Sequence, residues 1–291
     1  MEQKRASGTA WLIAASLVFM HEHAEFADLV SAKSAELCRH FLQGYSQNSE
    51  VFWQIARQRW FFHLASVIER LTIPGILRHY ALRKKCLSRL VRDAIADGIN
   101  QVVILGAGFD ALGLELHEEF KKTQFWEIDH PATQRYKARA ADINTLRFHF
   151  VPADLQSSKV DSAPLVDFNP IKRTMWIAEG VLMYLPVRAV KEQFETIGRL
   201  SAPGSRFAFT FMEPQRDGRI RFRGQTRLVD WWLRRRGEPF SWGINRREIA
   251  QFISPWQTQR IIDDADLREL GSLAPNIPLA AGELICLAEP F

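Results

Sequence analysis

The chain has 291 residues, of which 47% are hydrophobic and 24% are charged. This composition is ordinary for a soluble globular protein with one large domain, or with one domain and a cap. Lysine and arginine exceed aspartate and glutamate by 38 − 33 = 5, which allows acidic partners without requiring them. Because the three cysteines are widely separated, we expect no disulfide framework and no metal site, and we expect a reducing, cytoplasmic location.

Residues 1–98 are predicted to form a helical cap. Apolar residues recur at helix spacing near the start of the chain, at Ala10, Ile13, Ala14, Leu17 and Val18. This apolar run is too short to span a bilayer, so we expect no membrane partner. The pattern breaks at Pro74-Gly75, and residues 78–96 then form a basic amphipathic helix that ends before Gly98.

From residue 101 onward, apolar strands alternate with helices. Strands are predicted over residues 101–106, 124–129, 147–152, 174–179, 205–212, 258–263 and 283–289. Helices are predicted near residues 110–120, 131–141, 186–200 and 246–254. The alternation indicates an α/β fold with a parallel sheet, and we expect residues 99–291 to be one domain. Residues 213–245 interrupt the alternation and are interpreted as an insertion.

The first predicted strand ends in a glycine turn, Gly106-Ala107-Gly108. Glycine lets the backbone turn sharply and approach a ligand closely. Asp129 ends the second strand, 129 − 106 = 23 residues after Gly106, which is about the spacing of a carboxylate that binds the ribose hydroxyls of an adenosine cofactor. Ala111 replaces the third glycine of a dinucleotide fingerprint. This favours S-adenosylmethionine (SAM) over NAD, while an NAD-dependent oxidoreductase stays an alternative.

Two further carboxylates, Asp154 and Glu179, follow the third and fourth predicted strands. Ligands of open parallel sheets bind beyond the carboxyl ends of the strands, so we expect these side chains and Asp129 at one crevice. Asp154 is expected to accept from the adenine amino group, and Glu179 to lie near the sulfonium or amino acid end of SAM. For each acid alone, a solvated loop residue or a helix N-cap is the alternative interpretation.

Four segments together carry a family resemblance. They are Ser7-Gly8-Thr9-Ala10, the run from Gln101 to Asp110, Glu127-Ile-Asp-His-Pro-Ala-Thr-Gln134 with Lys137, and Trp176-Ile-Ala-Glu-Gly-Val-Leu-Met-Tyr-Leu-Pro186. With them the chain resembles the leucine carboxyl methyltransferase-like family of class I SAM-dependent O-methyltransferases, which includes bacterial enzymes of natural-product pathways. The resemblance implies a Rossmann-like sheet, mostly parallel with an antiparallel last strand, together with an N-terminal helical cap.

The resemblance also implies roles for individual residues. It implies that Arg83 holds the SAM carboxylate, a role that suits a guanidinium group. It places Gly106, Gly108, Asp129, Asp154, Leu155 and Glu179 at the cofactor. It places Tyr184 beside the transferring methyl group, as the catalytic residue and as a substrate-binding residue. A surface arginine at position 83 and a core aromatic at position 184 are the alternatives. The family's two arginines after Asp110 are absent here, which leaves the substrate open.

The insertion carries eight arginines between Gln215 and Pro239, with Trp231-Trp232 among them. We interpret it as a lid in which Arg227 and Trp231 bind the acceptor, because arginines attract an anionic molecule and indoles cover it. A solvated helical hairpin with its tryptophans packed on the core is the alternative. RNA contacts would also fit arginines among aromatics, but the modest net charge argues against nucleic acid.

These features predict a SAM-dependent O-methyltransferase that acts on the carboxylate of a small molecule. Methyl transfer from a sulfonium is an in-line displacement, and an ionised carboxylate needs no general base. An alcohol acceptor would be helped by a base, for which His130 and His149 are candidates. A catalytically silent SAM-fold protein that only binds a partner is a further alternative.

Overall fold

The computed structural model describes residues 7–45, 49–143 and 145–290. In these ranges five α-helices precede the sheet, as predicted: α1 (Gly8–His21), α2 (Ala32–Tyr45), α3 (Ser49–Ala56), α4 (Arg59–Thr72) and α5 (Ile76–Ala96). Helix α1 begins after Ser7, whose hydroxyl oxygen accepts from the amide of Ala10 at 3.1 Å. Helix α5 ends before Gly98, which has a φ of +89°. None of the described helices is long and apolar enough to cross a membrane.

Seven strands of the described chain form one sheet. They are β1 (Gln101–Leu105), β2 (Gln124–Asp129), β3 (Phe148–Pro152), β4 (Thr174–Ala178), β5 (Arg206–Met212), β6 (Trp256–Ile262) and β7 (Glu283–Pro290). Their order is β3-β2-β1-β4-β5-β7-β6. Strands β1 to β5 pair in parallel, and β7 is antiparallel to both β5 and β6. The predicted α/β class is confirmed, including the antiparallel last strand.

The helices between the strands are α6 (Leu112–Glu119), α7 (Pro131–Ala141), α8 (Val187–Arg199), α9 (Arg227–Arg236), α10 (Ile249–Phe252) and α11 (Asp264–Leu270). The helix predicted near 246–254 is wrong in extent, since α10 has four residues. The side chain of Asn245 accepts from the amide of Arg247 and so holds residues 246–248, just before α10, in a turn. After α10, Pro255 disfavours a helical conformation at residue 254. Helix α11 was not predicted, although its capping box of Asp263 and Asp266 is visible in the sequence.

Two apolar cores lie on the two faces of the sheet. Along β1, Val102 and Ile104 belong to one core and Val103 and Leu105 to the other, which is the alternation expected of a strand. The first core also contains buried residues of α1, α2 and α5. The domain boundary at residue 98 stays a prediction, since the cap helices and the sheet share this core.

The strand order reverses between β1 and β4, which are neighbours in the sheet although β2 and β3 lie between them in sequence. A crevice opens at the carboxyl ends of parallel strands where such a reversal occurs. The turn after β1, the end of β2 and the residue after β4 therefore meet at one place. These positions hold Gly106, Asp129 and Glu179.

Candidate functional site

A cavity of about 640 Å³ lies at the carboxyl ends of β1 to β4. Helices α1 and α5 and the residues Gly237 and Glu238 form its other walls. The residues predicted at the cofactor all line it, together with the predicted catalytic residue: Arg83, Gly106, Gly108, Asp129, Asp154, Leu155, Glu179 and Tyr184. We call this cavity the crevice.

The floor of the crevice is the glycine turn after β1. The amide of Gly106 donates to the carbonyl of Ile128 at 2.7 Å, which ties the turn to β2. Gly106 has a φ of +65°, and a Cβ there would lie 2.4 Å from Cγ2 of Val181. Gly108 has a φ of +51°, in the region that favours glycine. Both positions therefore require glycine to keep the turn and the open floor.

Asp129 is held at the rim of the crevice by two backbone donors. Its Oδ2 accepts from the amide of Gly108 and its Oδ1 from the amide of His130, both at 2.6 Å. Burial raises the pKa of Asp129 above its ordinary value, although these two hydrogen bonds act in the opposite direction. Each carboxylate oxygen keeps a further lone pair, so this side chain can accept from two hydroxyls of a ligand.

At the other end of the crevice, Arg83 lies between two carboxylates. Its Nη1 donates to Glu283 at 2.6 Å and its Nε to Glu179 at 2.9 Å. The Arg83 side chain is 3% exposed, and Nε2 of His79 lies 2.8 Å from the same Glu283 oxygen. Burial alone would raise the pKa of Glu283, but the charge of Arg83 and the contact with His79 outweigh it and hold this pKa at about 2.

Lys84 connects this group of charges to the glycine turn. Its Nζ lies 3.0 Å from Asp110 and 3.1 Å from Glu179. Burial by itself would lower the pKa of Lys84, but the charges of Asp110 and Glu179 raise it above its ordinary value. The end of the crevice opposite Asp129 thus carries both signs of charge, fixed in place by neighbouring strands and α5.

Asp154 and Leu155 lie past the end of β3, beside Asp129. Asp154 Oδ1 accepts from the amide of Gln156 at 3.0 Å, and its Oδ2 accepts from the hydroxyl of Ser157 at 2.9 Å. The carboxylate thus stabilises its own turn while it lines the crevice. Leu155 is buried and adds an apolar wall. The contact of Asp154 with an adenine amino group stays a prediction.

Tyr184 lies at the mouth of the crevice, where the cap meets the insertion. Burial raises its pKa above the ordinary value, although the neighbouring Thr9 side chain acts in the opposite direction. The carboxylate of Glu238 accepts from the Thr9 hydroxyl at 2.5 Å and from the amides of Gly8 and Thr9 at 3.1 and 3.0 Å. Glu238 therefore binds the start of α1 across the mouth, where a carboxylate is favoured.

Arg227 and Trp231, predicted to bind the acceptor, do not line the crevice. They line a second cavity of about 560 Å³ with Arg219, Arg221 and Arg234 and with apolar residues that include Phe240. The reason is that α9 runs outside the crevice, and the insertion reaches it only at Gly237 and Glu238. The two cavities adjoin where the rings of Tyr184 and Phe240 pack, with centroids 5.5 Å apart. We call this second cavity the arginine cavity.

The two histidines proposed as bases lie in different places. His130 lines the crevice, but its Nδ1 accepts from the amide of Ala132 at 3.2 Å and so caps α7. His149 stacks on Trp126 with ring centroids 5.3 Å apart and does not line the crevice. In the described ranges, no group of three or more His, Cys, Asp or Glu side chains could hold a metal ion. The cysteines Cys38, Cys86 and Cys286 are buried free thiols.

The two positions where the family has arginines after Asp110 carry other roles here. Leu112 is buried in the core, and Glu115 accepts from the Ser31 hydroxyl at 2.9 Å. Between them, Gly113 leaves room for a buried carboxylate, because a Cβ there would lie 2.6 Å from Oε1 of Glu127. Burial raises the pKa of Glu127 to about 7, although Lys137 lies 2.7 Å away. Neither replacement lines the crevice.

Three residues that line the crevice were not predicted there: Thr9, Lys84 and Glu238. Thr9 belongs to a segment that carries the family resemblance, so a signal for it was present. Lys84 follows Arg83 directly, but its partner Asp110 is distant in sequence and no local pattern links the two. Glu238 contacts residues at the start of the chain, and nothing in the insertion itself indicates that contact.

Comparisons with known proteins were made for both the sequence and the fold. The profile of the family described as leucine carboxyl methyltransferase matches residues 28–198. A Mycolicibacterium smegmatis protein named "Putative S-adenosyl-L-methionine-dependent methyltransferase" is 33% identical over 224 residues, which cover 72% of this chain and 70% of the relative. A Mycobacteroides abscessus protein of the same name is 32% identical over 209 residues, which cover 66% of each chain.

Among solved structures, the fold is similar to that of a Thermobifida fusca protein named "putative methyltransferase". The TM-score is 0.60 at 16% identity, and the match covers 99% of this chain and 96% of that one. A DUF574 family protein from Streptomyces avermitilis matches with a TM-score of 0.55 at 13% identity, over 75% of this chain and 84% of that one. At these identities the likeness is one of fold alone.

Proposed function

The chain belongs to the leucine carboxyl methyltransferase family and is a SAM-dependent methyltransferase, and we propose that it methylates a carboxylate oxygen of an anionic small molecule. The observation that carries the acceptor proposal is the arginine cavity, which adjoins the crevice at Tyr184. Arginine recognises carboxylates through paired N–H donors. The acceptor would therefore enter from a basic cavity and reach the cofactor site at its mouth.

The crevice fits SAM in volume and in chemistry. Cofactor cavities commonly measure roughly 300–1,000 Å³, and the crevice measures about 640 Å³. Gly106 and Gly108 keep Cβ atoms out of its floor. The two charges of the methionyl group of SAM need partners of both signs, and Arg83 and Glu179 supply them within one buried group.

We assign the parts of SAM to the residues that line the crevice. Asp129 accepts from the ribose hydroxyls, while Asp154 and Leu155 bind the adenine ring. Arg83 holds the carboxylate of the methionyl group, and Glu179 its ammonium group. When bound, SAM supplies a methyl group on a positively charged sulfur. The chain itself contributes orientation and the exclusion of water, for which α1 and Glu238 cover the mouth.

Tyr184 is proposed to orient the reacting groups at the mouth. Since burial raises its pKa, the phenol stays protonated near neutral pH and acts as a hydrogen-bond donor. It is therefore unsuited to remove a proton from an acceptor alcohol. An ionised carboxylate needs no such step, because its pKa lies near 4 and it is a nucleophile at neutral pH.

The proposal is tested with SAM that is tritiated in its methyl group. The protein is incubated with a set of small carboxylic acids and with matched alcohols, and each labelled product is then treated with alkali. Methyl esters release volatile methanol in alkali, whereas methyl ethers do not. We expect labelled products from the acids and release of the label. Base-stable label, or label transferred only to the alcohols, would contradict carboxylate methylation.

A further inference from the structure

The outer face of α4 exposes a stripe of large apolar side chains. They are Trp60, Leu64, Val67, Ile68 and Leu71, each between 47% and 69% exposed. Their spacing places them on one side of the helix, because residues three and four apart are neighbours on a helix surface. Phe61 and Phe62, which do not belong to the stripe, pack against Phe19 of α1 at centroid distances of 6.1 and 5.9 Å. None of the residues of α4 is buried.

The exposed stripe continues onto the insertion. The amide of Thr226 donates to the carbonyl of Thr72 at 3.2 Å, which places the start of α9 against the end of α4. Leu228 and Trp231 on α9 are 63% and 55% exposed. Single exposed apolar residues are common, but seven large ones on two helices whose ends are hydrogen-bonded mark an interaction surface. We call these two residues, together with the five of the α4 stripe, the α4–α9 face.

The α4–α9 face has a basic flank. By helical spacing, Arg59, His63 and Arg70 lie together along one side of the α4 stripe, and Arg227 lies on α9. No described carboxylate lies within ion-pair distance of these three arginines, which are exposed.

The two acids described on these helices are engaged within the fold. Glu69 accepts from the amide of Leu77 at 3.0 Å, and Asp230 accepts from the side chain of Gln225 at 2.5 Å. Neither acid is paired with Arg59, Arg70 or Arg227 in the described part of the chain, and three arginines against two acids leave these helices' surface with a positive charge. A partner of this surface must therefore present apolar material together with negative charge.

We propose that the α4–α9 face docks on a bilayer that contains anionic phospholipids. An apolar helix face with arginines beside it and tryptophans within it is the composition of segments that lie in the headgroup region. Anionic headgroups supply the charge that the arginines lack. A second copy of the chain fits less well, because a two-fold contact through this face would bring the same arginines of both copies together. The helices lie on the membrane and do not span it. The expectation of no membrane partner rested on the lack of a spanning segment, and this proposal departs from it.

The docked orientation gives the arginine cavity a defined position. Arg227 and Trp231 both line this cavity. Trp231 also belongs to the α4–α9 face, and Arg227 belongs to its basic flank. The cavity mouth would therefore open beside the bilayer surface, while the amino-terminal ends of the strands, where Leu146 and Ile171 lie, would be at the opposite end. Those two residues precede β3 and β4, whereas the crevice lies beyond the ends of these strands.

The test is cosedimentation of the full chain with vesicles of phosphatidylcholine alone and of phosphatidylcholine with phosphatidylglycerol. We expect binding to the anionic vesicles, little binding to the neutral ones, and release by high salt. The double variant Leu64→Gln/Leu71→Gln should have a vesicle partition coefficient at least about tenfold lower than that of the unchanged protein. Each substitution removes apolar surface that enters the interface. Glutamine is a good helix former, so α4 should persist.

The matched control is Leu146→Gln/Ile171→Gln, which changes two leucine-sized side chains that are 83% and 82% exposed and that precede β3 and β4. It should bind vesicles as the unchanged protein does. Equal binding by both double variants, or no binding of the unchanged protein to anionic vesicles at low salt, would overturn the proposal. A third result would also overturn it: the unchanged protein forms a dimer in sedimentation velocity, Leu64→Gln/Leu71→Gln abolishes the dimer, and no vesicle binding is seen. The face would then bind a second copy of the chain.

Discussion

Arginine occupies two opposite surroundings in this molecule. In the crevice, Arg83 on α5 is buried and bound to two carboxylates, Glu283 of β7 and Glu179 just after β4. In the insertion, Arg227 is exposed and has no described carboxylate at ion-pair distance. A buried charge is tolerated only with good partners, whereas an exposed one contributes little to stability. The crevice arginine is therefore part of the fold as well as the site, while Arg227 contributes little to the fold and is available to a ligand.

The largest expected effect tests this difference directly. Replacing Arg83 by Met leaves the buried Glu283 without its cation, and we expect a loss of about 3–5 kcal/mol in the free energy of unfolding. The matched change Arg227→Met should alter it by less than about 0.5 kcal/mol. Urea denaturation of both variants measures the two values. Similar losses of unfolding free energy in the two variants would contradict this difference, since only the buried arginine is expected to stabilise the fold.

The pH dependence of stability sharpens the account of the crevice. The folded-state pKa of Glu283 is about 2, below its ordinary value of 4.5. The stabilisation from ionised Glu283 is therefore complete above about pH 4.5 and is lost as the pH falls towards 2. At 1.36 kcal/mol per pH unit this amounts to roughly 3 kcal/mol. Chemical denaturation of the unchanged protein and of Glu283→Gln between pH 2 and 6 measures it, and the variant should have the shallower slope.

Substitution of Asp129 tests the ribose end of the crevice. An asparagine amide can accept with one atom only, so one of the two backbone donors, from Gly108 or His130, would lose its acceptor. We expect S-adenosylhomocysteine to bind roughly 100-fold more weakly to Asp129→Asn, since hydrogen bonds to a charged group are worth roughly 1.5–3 kcal/mol. Calorimetric titration measures the affinity, with the exposed Asp161→Asn as the control. Unchanged affinity in Asp129→Asn would refute the ribose assignment.

The smallest expected effect concerns the insertion. Arg227→Gln should raise the KM for an anionic acceptor by about tenfold, or about 1.4 kcal/mol, and leave the affinity for S-adenosylhomocysteine unchanged, because the arginine cavity is separate from the crevice. The control is Arg188→Gln, an exposed arginine on α8. Steady-state kinetics with an acceptor from the tritium screen measures KM. An increase of the same size in both variants would indicate a general effect of charge.

More of the crevice than of the insertion could be predicted from the sequence. Gly106 and Asp129 are signalled by local patterns, since a strand period, a turn residue and a spacing all lie within one βαβ unit. The position of Arg227 depends on where α9 packs, and this is set by contacts such as Thr226 with Thr72 and Glu238 with Thr9. These contacts join residues that are far apart in sequence and that no periodicity relates.

In the last third of the chain the strands were predicted, but one helix was predicted too long and another was missed. The strands β5, β6 and β7 were predicted because each is a continuous apolar or alternating run. The helix predicted near 246–254 was too long at both ends, because residues 246–248 form a turn under the Asn245 side chain and residues 253–255 form a turn that contains Pro255. Lys84 was not assigned to the site, since its role depends on the approach of α5 to the turn at Asp110.

The measurement that tests the central claim most directly is a crystal structure of the protein with S-adenosylhomocysteine. The account predicts the ribose hydroxyls within about 2.5–3.0 Å of the Asp129 carboxylate oxygens, with the carboxylate of the ligand against Arg83 and its ammonium group against Glu179. A ligand in the reverse orientation, or one bound in the arginine cavity with the crevice closed by the chain's own side chains, would contradict it.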